Sequence, residues 1–391
     1  MSRVLLVCPE PLGHGHPAGI GIRFLEIEKV LRADGHAVTL LSAPIQPADL
    51  VRHSGEADVT VVQGHIANDF FAHAKPIPTV VDLYDPFVIE NLHYYESRGA
   101  EVFAHDHATI VNSLLRGDFF LCASEAQRLF WLGMLLALGR LNPPAFESDP
   151  NLESLIRIAP FGVPPLRERV AANEPRVLFG GIYDWYDPIL AIDAITIARE
   201  SLPQISLTFT KHPNPELTPQ RKLTEAIQYA KRRGFDFVKF EPWFEYGKRA
   251  EFFDRFSLAL LTFPQSLETD LSMRTRVYDY LWGGLPIISS PAPGTDDLLK
   301  RYRCGIIVDD PAPKAFAAAV LQAFAQQNKL RNGTREFVRD HQWPDALQPL
   351  RDFCRKPRVD AHKESFAVRM QVPERPPSIL ERLKRRIGGA S

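Results

Sequence analysis

Residues 272–282 combine hydroxyl, guanidinium and carboxylate side chains at a spacing that would place them on one face of a helix. The segment follows an apolar strand at 258–263 and precedes another at 285–289, so the pattern predicts strand, helix, strand. Ser272 stands where an N-cap residue would, and two glycines end the helix. Because a helix N-terminus carries partial positive charge, this tip is a suitable place to hold an anion.

The order of residues along this helix indicates what it could bind. At about 100° per residue, Thr275, Arg276 and Asp279 share a polar face with Ser272. Arg274 lies nearer the apolar flank, so it would act only from the helix end. Guanidinium and hydroxyl groups donate to phosphate, and a carboxylate accepts from a sugar diol. The alternative is a solvent-exposed face with an Arg276–Asp279 ion pair at i, i+3.

Size and composition restrict the class of protein. The chain has 391 residues, 45% of them hydrophobic and 24% charged, which is typical of a globular protein with two domains. A net charge of -1 argues against a dedicated nucleic-acid binder. No apolar run approaches a membrane span, and the first ten residues are typical of a strand rather than a signal peptide. We therefore expect a cytoplasmic protein.

Cysteine and histidine patterns give no sign of a metal or a disulfide. The four cysteines are far apart, and three lie in or beside apolar segments, as reduced core residues do. His105-Asp106-His107 could suggest a metal pair, but no third ligand lies at metal spacing. We expect no metal and no cofactor, and a structural or acceptor-side role for this tripeptide.

Strands and helices alternate twice along the chain. The first series ends at the proline-rich segment 160–165, and a second begins at Arg176 after a polar linker. Strands separated by helical lengths predict parallel sheets covered on both faces, so the fold class is α/β with two doubly wound, Rossmann-like domains. The predicted N-terminal domain spans 1–165, a linker 166–175 and the C-terminal domain 176–340. A helix at 341–356 is predicted to cross back to the first domain, and 357–391 form a polar, basic tail.

The tail carries a separate hypothesis. We expect the chain to be poorly ordered beyond Arg355 until Ile379. Residues 378–387 then form a basic amphipathic pattern, which can lie on an anionic membrane surface. The alternative is a solvated helix packed on its own protein.

The order of several short segments identifies a family resemblance. These segments are 19–23, 35–38, 160–163, 180–188 and 279–286. Over about residues 1–350, the chain resembles the GT-B glycosyltransferases of glycosyltransferase family 4, and most closely a subgroup acting on bacterial surface polysaccharides. The resemblance implies a cleft between two domains, with acceptor on the N-terminal side and nucleotide sugar on the C-terminal side.

The sequence departs from the family pattern at two places. The family usually has two glutamates eight residues apart; here the second position is Asp279 and the first is Leu271. Glu268 and Asp270 are nearby substitutes. The family also has Arg and Lys after the first strand of the second domain, whereas 181–188 contains no basic residue.

The resemblance implies transfer of a sugar from a nucleotide-diphosphate donor to a glycan, glycolipid or small-molecule acceptor, with retention and without a metal. Lys211 and Arg276 are the candidate catalytic cations that would stabilise negative charge on the leaving diphosphate. Arg274 is the third candidate. Thr275 would bind a phosphate oxygen, and Asp279 the ribose hydroxyls. The alternative for Lys211 is an ordinary exposed lysine at the end of a strand.

Glycines and aspartates complete the predicted site. Gly19 and Gly21 from the first domain, and Gly181 from the second, would let backbone N–H groups approach the donor. Plain turns are the alternative for all three. Asp82 and Asp85, at the end of the first-domain strand 79–82 and just beyond it, are expected to point toward the cleft and could orient the acceptor hydroxyl.

Three other functions are compatible with parts of the sequence. A nucleotide-sugar epimerase of the same fold would need an acid/base pair, and a non-catalytic nucleotide-sugar-binding paralogue would fit the missing carboxylate and missing cations. A dinucleotide dehydrogenase would use the G-x-G-x-x-A pattern at 13–18. That pattern does not follow the first strand directly, and no acid ends the second strand, so the sequence disfavours it.

Overall fold

Strands and helices alternate throughout the computed structural model, which describes residues 1–12, 17–94, 99–170, 174–211 and 220–366. The first half contains, in order, β1 (Arg3–Cys8), α1 (Gly19–Ala33), β2 (Ala37–Ser42), α2 (Pro47–Glu56), β3 (Val59–Val62), α3 (Ile66–His73), β4 (Thr79–Asp82), α4 (Phe87–Glu90), α5 (Ala100–Arg116), β5 (Phe119–Cys122), α6 (Glu125–Ala137), α7 (Pro143–Ser148) and β6 (Ile156–Ile158).

The six strands of this half form one parallel sheet. Their order is β2-β1-β3-β4-β5-β6. Every residue of β3, β4 and β5 is buried, because helices cover both faces of the sheet and the strands are correspondingly apolar. The carboxyl ends of β1, β3 and β4 are therefore neighbours at one edge, although they lie far apart in sequence.

The second half repeats this plan. It contains β7 (Arg176–Gly181), α8 (Pro188–Ala198), β8 (Ser206–Thr210), α9 (Arg221–Arg233), β9 (Val238–Glu241), α10 (Arg249–Asp254), β10 (Leu258–Leu261), α11 (Leu267–Leu271), α12 (Thr275–Trp282), β11 (Ile287–Ser289), α13 (Pro293–Tyr302), β12 (Gly305–Ile307), α14 (Pro313–Ala325) and α15 (Gln327–Asp340). The sheet order is β12-β11-β10-β7-β8-β9, and every pairing is parallel. Two parallel six-stranded sheets flanked by helices confirm the predicted α/β fold class.

The chain crosses between the two halves twice, at adjacent places. The first crossing follows Val163, whose N–H donates to the His341 carbonyl at 2.7 Å. The second crossing leads through α16 (Trp343–Ala346) to α17 (Gln348–Arg355). Arg351 of α17 binds both carboxylate oxygens of Asp34, at the end of α1, at 2.7 Å each. The last described helix is therefore fixed to the first half.

The chain beyond α17 continues along the first half. Asp360 accepts from the fully buried Arg140 at 2.7 Å, and Lys363 donates to Asp118 at 2.8 Å. The expectation of poor order beyond residue 355 is wrong for residues 356–366, because these ion pairs attach the segment to the first domain. The predicted basic helix at 378–387 lies outside the described residues. Among the described residues, no helix has the length and apolar character to cross a membrane.

Candidate active site

The carboxyl ends of both sheets border one cleft of about 310 Å³. Residues after β1, β3 and β4 line it on the first-sheet side, and residues after β7 and β10 line it on the second-sheet side. Direct hydrogen bonds cross between the two sides. The Tyr84 hydroxyl donates to the Met273 carbonyl at 2.9 Å, and the Gln127 amide donates to the Leu271 carbonyl at 2.9 Å.

The helix proposed from the sequence as an anion site has its tip in this cleft, but it begins later than predicted. Helix α12 starts at Thr275 with Arg274 as its N-cap residue, and Arg274 makes no capping bond with its side chain. The prediction of Ser272 as N-cap is wrong. A short helix, α11, occupies the preceding residues, and the Ser272 hydroxyl donates instead to Glu90 at 3.2 Å.

Arg274 is buried in the wall of the cleft. Its Nη2 donates to the Glu268 carboxylate at 2.8 Å, and only 7% of the residue is exposed. Its Nε and Nη1 atoms have no hydrogen-bond partner among the described residues. Buried guanidinium nitrogens are normally paired, so two unpaired donors in a cleft wall are suited to an anionic ligand.

Of the two predicted substitutes for the missing first carboxylate, only one lies in the cleft. Glu268 is buried and lines it, whereas Asp270 is exposed. Because Glu268 already forms an ion pair with Arg274, its main effect is to hold that guanidinium in place.

Arg276 also faces the cleft and does not pair with Asp279. Its Nη1 donates to the Gly181 carbonyl at 2.5 Å, and its guanidinium lies over the Tyr186 ring at 4.6 Å. Gly181 reaches this position because the register of β7 shifts beside Gly180, whose φ of +84° favours glycine. Arg276 and Gly181 are thus brought together, as the predicted site requires.

The tips of α1 and α12 approach each other across the cleft. A Cβ atom added to Gly19 would lie 3.0 Å from Thr275 Oγ1, which is tighter than ordinary van der Waals contact. The approach therefore depends on the absence of a side chain at Gly19. It places two helix N-termini, each with partial positive charge, on opposite sides of one narrow space.

Gly21, one turn into α1, contacts a carboxylate that the sequence did not single out. Its N–H donates to Glu10 Oε2 at 2.5 Å, and a side chain at Gly21 would collide with that carboxylate. Burial raises the pKa of Glu10 to about 7, although the Gly21 and Ala18 N–H groups favour the charged form. Glu10 therefore occupies backbone donors that Gly21 was predicted to offer to the donor substrate.

A second, narrower cavity adjoins the cleft behind α12. Gly181, Thr210, Trp243 and Asp279 are among the residues that line it. Thr210 is fully buried, and its hydroxyl has no partner among the described residues. Burial raises the pKa of Asp279 to about 6, against the opposing effect of Arg249. Asp279 lies one helical turn from the tip, as expected for a carboxylate beside an anion site.

Lys211 directly follows β8 and has an exposed side chain. Its neighbour Thr210 lines the second cavity, whereas Lys211 does not line either of the two cavities described above. Its backbone N–H donates to the Glu241 carbonyl at 2.9 Å. The predicted catalytic role of Lys211 stays a prediction.

The two predicted acceptor-side aspartates have different surroundings. Asp82 is buried, and its carboxylate accepts from Arg23 Nε at 2.6 Å. The other nitrogens of that guanidinium donate to backbone carbonyls as well as to Asp82, so the pair is structural. The expectation that Asp82 faces the cleft is wrong because Arg23 sequesters it. Asp85 does line the cleft.

Asp85 forms a carboxyl pair with Glu90, which also lines the cleft. Burial, and then the neighbouring carboxylates, raise the pKa of Glu90 well above its usual value. Burial likewise raises the pKa of Asp85 to about 6. Gln63, directly after β3, lies in the same wall with 2% of its surface exposed. Neither its amide oxygen nor its amide nitrogen has a partner among the described residues.

Three further features of the sequence are the His105-Asp106-His107 tripeptide, the four cysteines and the G-x-G-x-x-A pattern at 13–18. Asp106 accepts from Asn91 at 2.7 Å and contacts the His65 ring nitrogen at 2.5 Å. All four cysteines are buried as free thiols, and no group of three or more metal-ligating side chains occurs within residues that the structure describes. The G-x-G-x-x-A pattern has its first four residues, 13–16, outside the described ones.

The chain is similar to solved proteins in its three-dimensional structure. Neither a protein-family model nor a curated protein sequence matches the chain. HepE from Anabaena, solved with UDP and glucose, superposes with a TM-score of 0.64 at 14% identity, covering 91% of this chain and 99% of that chain. Sucrose-phosphate synthase from Thermosynechococcus elongatus gives 0.64 at 13% identity, with 91% and 98% covered. The chain has the GT-B fold.

A third GT-B structure matches over a smaller part. The pneumococcal O-GlcNAc transferase GtfA, solved with UDP and GlcNAc, superposes with a TM-score of 0.55 at 14% identity and covers 76% of this chain and 56% of that chain. These structures are GT-B glycosyltransferases, so the resemblance seen in the sequence is confirmed at the level of the fold. The GT-B cleft is the one lined by Gly19, Arg274, Thr275 and Arg276.

Proposed function

We propose that this protein is a GT-B glycosyltransferase that moves a sugar from a nucleoside diphosphate sugar to a hydroxyl of an acceptor. The observation that carries the proposal is the buried guanidinium of Arg274 at the tip of α12, which faces the tip of α1 across the cleft. Its Nη2 pairs with Glu268, whereas Nε and Nη1 have no partner among the described residues. The N-terminus of α12 and two arginines together form a site for a doubly charged group such as a diphosphate.

The diphosphate would lie between the two helix tips. Arg274 would donate through its free Nε and Nη1 atoms, and Thr275 through its hydroxyl and backbone N–H. Arg276 is held by the Gly181 carbonyl and stacked on Tyr186, so it adds positive charge without needing to reorganise. Gly19 fits this arrangement because only a residue without a side chain lets the α1 tip come so near Thr275. The tips must separate to admit the ligand.

The nucleoside would occupy the adjoining cavity. Asp279, which lines this cavity, would accept from both ribose hydroxyls, and Trp243, beside Gly181, would contact the base. The unpartnered Thr210 hydroxyl supplies a polar group in a wall that is otherwise mostly apolar. Lys211 follows Thr210, and we propose that it contacts the phosphates as the second catalytic cation beside Arg276.

In the reaction, the bond between the anomeric carbon and the diphosphate oxygen breaks while a bond to the acceptor oxygen forms, and one proton is released. Negative charge grows on the diphosphate as the bond breaks. Fixed donors around it stabilise that charge more in the transition state than in the ground state, and one such donor is worth about 10²–10³ in kcat. We propose that the reaction retains the anomeric configuration, as the sequence resemblance implies. We also propose that it needs no metal, because the arginines and the α12 tip would stabilise the leaving group.

The sequence resemblance to family 4 suggests the biological setting. We propose a role in bacterial surface polysaccharide synthesis, with a carbohydrate or lipid-linked acceptor. The reaction would take place in the cytoplasm, where nucleotide sugars are made, or at the inner face of the membrane. The basic segment 378–387 would supply the membrane contact.

A panel of nucleotides tests the proposal. UDP, GDP, ADP and dTDP, each alone and with its common sugars, are added to the purified full chain, and thermal unfolding is followed. One of these should raise the unfolding temperature, and Arg274→Ala should abolish that rise. Isothermal titration with the active nucleotide gives the affinity. If no member of the panel binds, the protein is not a nucleotide-sugar enzyme.

A nucleotide-sugar epimerase is the second candidate, because the Asp85–Glu90 carboxyl pair in the cleft is the kind of group that could carry a sugar proton. Nuclear magnetic resonance of the sugar after incubation without acceptor separates the two reactions. A transferase leaves the donor unchanged or hydrolyses it slowly, whereas an epimerase produces a stereoisomer that is still attached to the nucleotide.

A further inference from the structure

The first-sheet side of the cleft contains a buried amide that no other described residue uses. Gln63 follows β3 directly and is 2% exposed, and both Oε1 and Nε2 lack partners among the described residues. A primary amide offers two donors and an acceptor. Leaving all of them unpaired in a protein interior costs free energy, so the position is suited to a polar ligand.

Two carboxyl groups lie in the same wall. Asp85 follows β4, the strand next to β3 in the sheet, and Glu90 is at the end of the short helix after it. Glu90 also accepts from the Ser272 hydroxyl across the cleft at 3.2 Å. Because both carboxyl groups are buried and lie beside each other, the pKa of each is raised above its usual value.

The combination restricts the ligand to one chemical class. A phosphate or carboxylate would leave the Gln63 oxygen unpaired and would face two acidic groups. An ammonium group would leave the Gln63 nitrogen unpaired, since it has no acceptor. A hydroxyl both donates and accepts, so it satisfies the amide and also donates to a carboxylate. A ring that carries several hydroxyls can engage Gln63 and the carboxyl pair together.

We propose that Gln63, Asp85 and Glu90 form a subsite for a neutral sugar, and that this sugar is the acceptor. The assignment to the acceptor rests on the proposed function, which places the nucleotide on the second-sheet side with Arg274 and Asp279. The acceptor then occupies the first-sheet side, across the cleft from the diphosphate. An acceptor unit bearing phosphate, carboxylate or a free amine is excluded from this subsite.

The test measures sugar binding separately from nucleotide binding. Saturation-transfer difference spectra are recorded on the full chain with UDP, or the active nucleotide, at saturation. The probes are methyl glycosides of glucose, galactose, mannose and N-acetylglucosamine, compared with methyl glucuronate and methyl glucosaminide. At least one neutral glycoside should bind, and the charged ones should bind at least 10-fold more weakly.

Two variants of Gln63 and one control variant test whether the Gln63 amide binds the sugar. Gln63→Leu and Gln63→Glu should each weaken the neutral glycoside about 10-fold, as expected for loss of hydrogen bonds in a buried site, and should leave nucleotide affinity within twofold. Gln322→Leu, on the exposed face of α14, is the matched control and should change neither.

The two proposals fail in different ways. If no nucleotide binds to the unmodified protein, the proposed function fails, and the glycosides are then tested alone. If the nucleotide binds but Gln63→Leu binds glycosides as well as the unmodified protein does, the subsite is wrong. Preferential binding of methyl glucuronate or methyl glucosaminide would also overturn it, because that result contradicts the hydrogen-bonding argument.

Discussion

The two sides of the cleft have opposite chemical character. The second-sheet side presents Arg274 and Arg276 around the tip of α12, whereas the first-sheet side presents Glu10, Asp85 and Glu90. An anionic group is therefore favoured on one side and disfavoured on the other. The contrast indicates that the two substrates differ in charge, with the diphosphate held by the second sheet and an uncharged molecule by the first.

Removing Arg274 should reduce the positive charge of the second-sheet side most strongly and have the largest effect on activity. Arg274→Ala leaves Glu268 buried without its partner and removes the two unpaired guanidinium donors, Nε and Nη1. We expect a loss of about 10²–10³ in activity and of about 3 kcal/mol or more in the free energy of unfolding. Activity assays and urea denaturation measure the two effects.

Two variants separate those effects. Arg274→Lys keeps the charge but loses the planar donor set, so it should recover stability better than activity. Lys300→Ala removes an exposed cation on α13 and should leave both quantities unchanged. Full activity in Arg274→Ala would contradict the anion site.

The acidic character of the first-sheet side can be tested through the effect of Glu10 on the pH dependence of stability. Its folded-state pKa of about 7 lies above the usual value of 4.5, so the folded protein holds a proton that the unfolded chain releases. The contribution of Glu10 to the free energy of unfolding is therefore fully present below about pH 4.5 and is lost as pH rises through about 7. The difference in the free energy of unfolding between Glu10→Gln and the unmodified protein should therefore shift in favour of Glu10→Gln by about 1–3 kcal/mol from pH 5 to pH 8.

Denaturation curves at the two pH values give this difference. Glu147→Gln, at an exposed position, is the control and should show no such gain. Parallel curves for Glu10→Gln and the unmodified protein would mean that Glu10 does not hold its proton in the folded state.

Gly19 tests how closely the two sides must meet. Gly19→Ala would place Cβ 3.0 Å from Thr275 Oγ1 and push the helix tips apart by a few tenths of an ångström. Since catalysis depends on geometry of this order, we expect about a 10-fold fall in kcat with little change in stability. Gly133→Ala, where a Cβ atom meets nothing within 4 Å, should leave kcat unaltered. An equally active Gly19→Ala would show that the tips need not approach.

The smallest effect is expected at Lys211, which tests how far the cationic side extends. Lys211→Ala should lower kcat about fivefold through weaker stabilisation of the diphosphate, as a long-range charge does in water. Stability should stay within about 0.5 kcal/mol, since the side chain is exposed. Lys356→Ala removes another exposed cation, one that has no part in the proposed site, and is compared in the same kinetic assay. Identical kinetics for the two variants would remove Lys211 from the site.

The fold and the second-sheet side were predictable from the sequence because both depend on local patterns. Apolar runs separated by helical lengths define the two sheets, and hydroxyl, guanidinium and carboxylate at 275, 276 and 279 fall on one helical face. The start of α12 was misjudged, because Ser266 begins a separate short helix by accepting from the Thr269 N–H. Ser272 was therefore available to bind Glu90 instead.

The first-sheet side could not be read in the same way. Glu10, Gln63 and Glu90 meet because β1, β3 and β4 are neighbours in the sheet, and strand order is not encoded in any local spacing. One signal was present: Gln63 directly follows the apolar strand β3, and Glu10 follows β1 by two residues. Polar residues just beyond buried parallel strands are the ones that such a topology gathers at one edge.

The paired crossings between the halves have a mechanical consequence. Val163 and Trp343 belong to separate connections, yet hydrogen bonds between 163 and 341–343 bind the two into a short ribbon. A single tether would let the lobes swing and twist in any direction. Two connections held side by side favour one relative motion of the two halves, which is rotation about the line that joins the connections. Arg274 and Gly19 would then part and return along one fixed arc, so the same alignment is restored at each turnover.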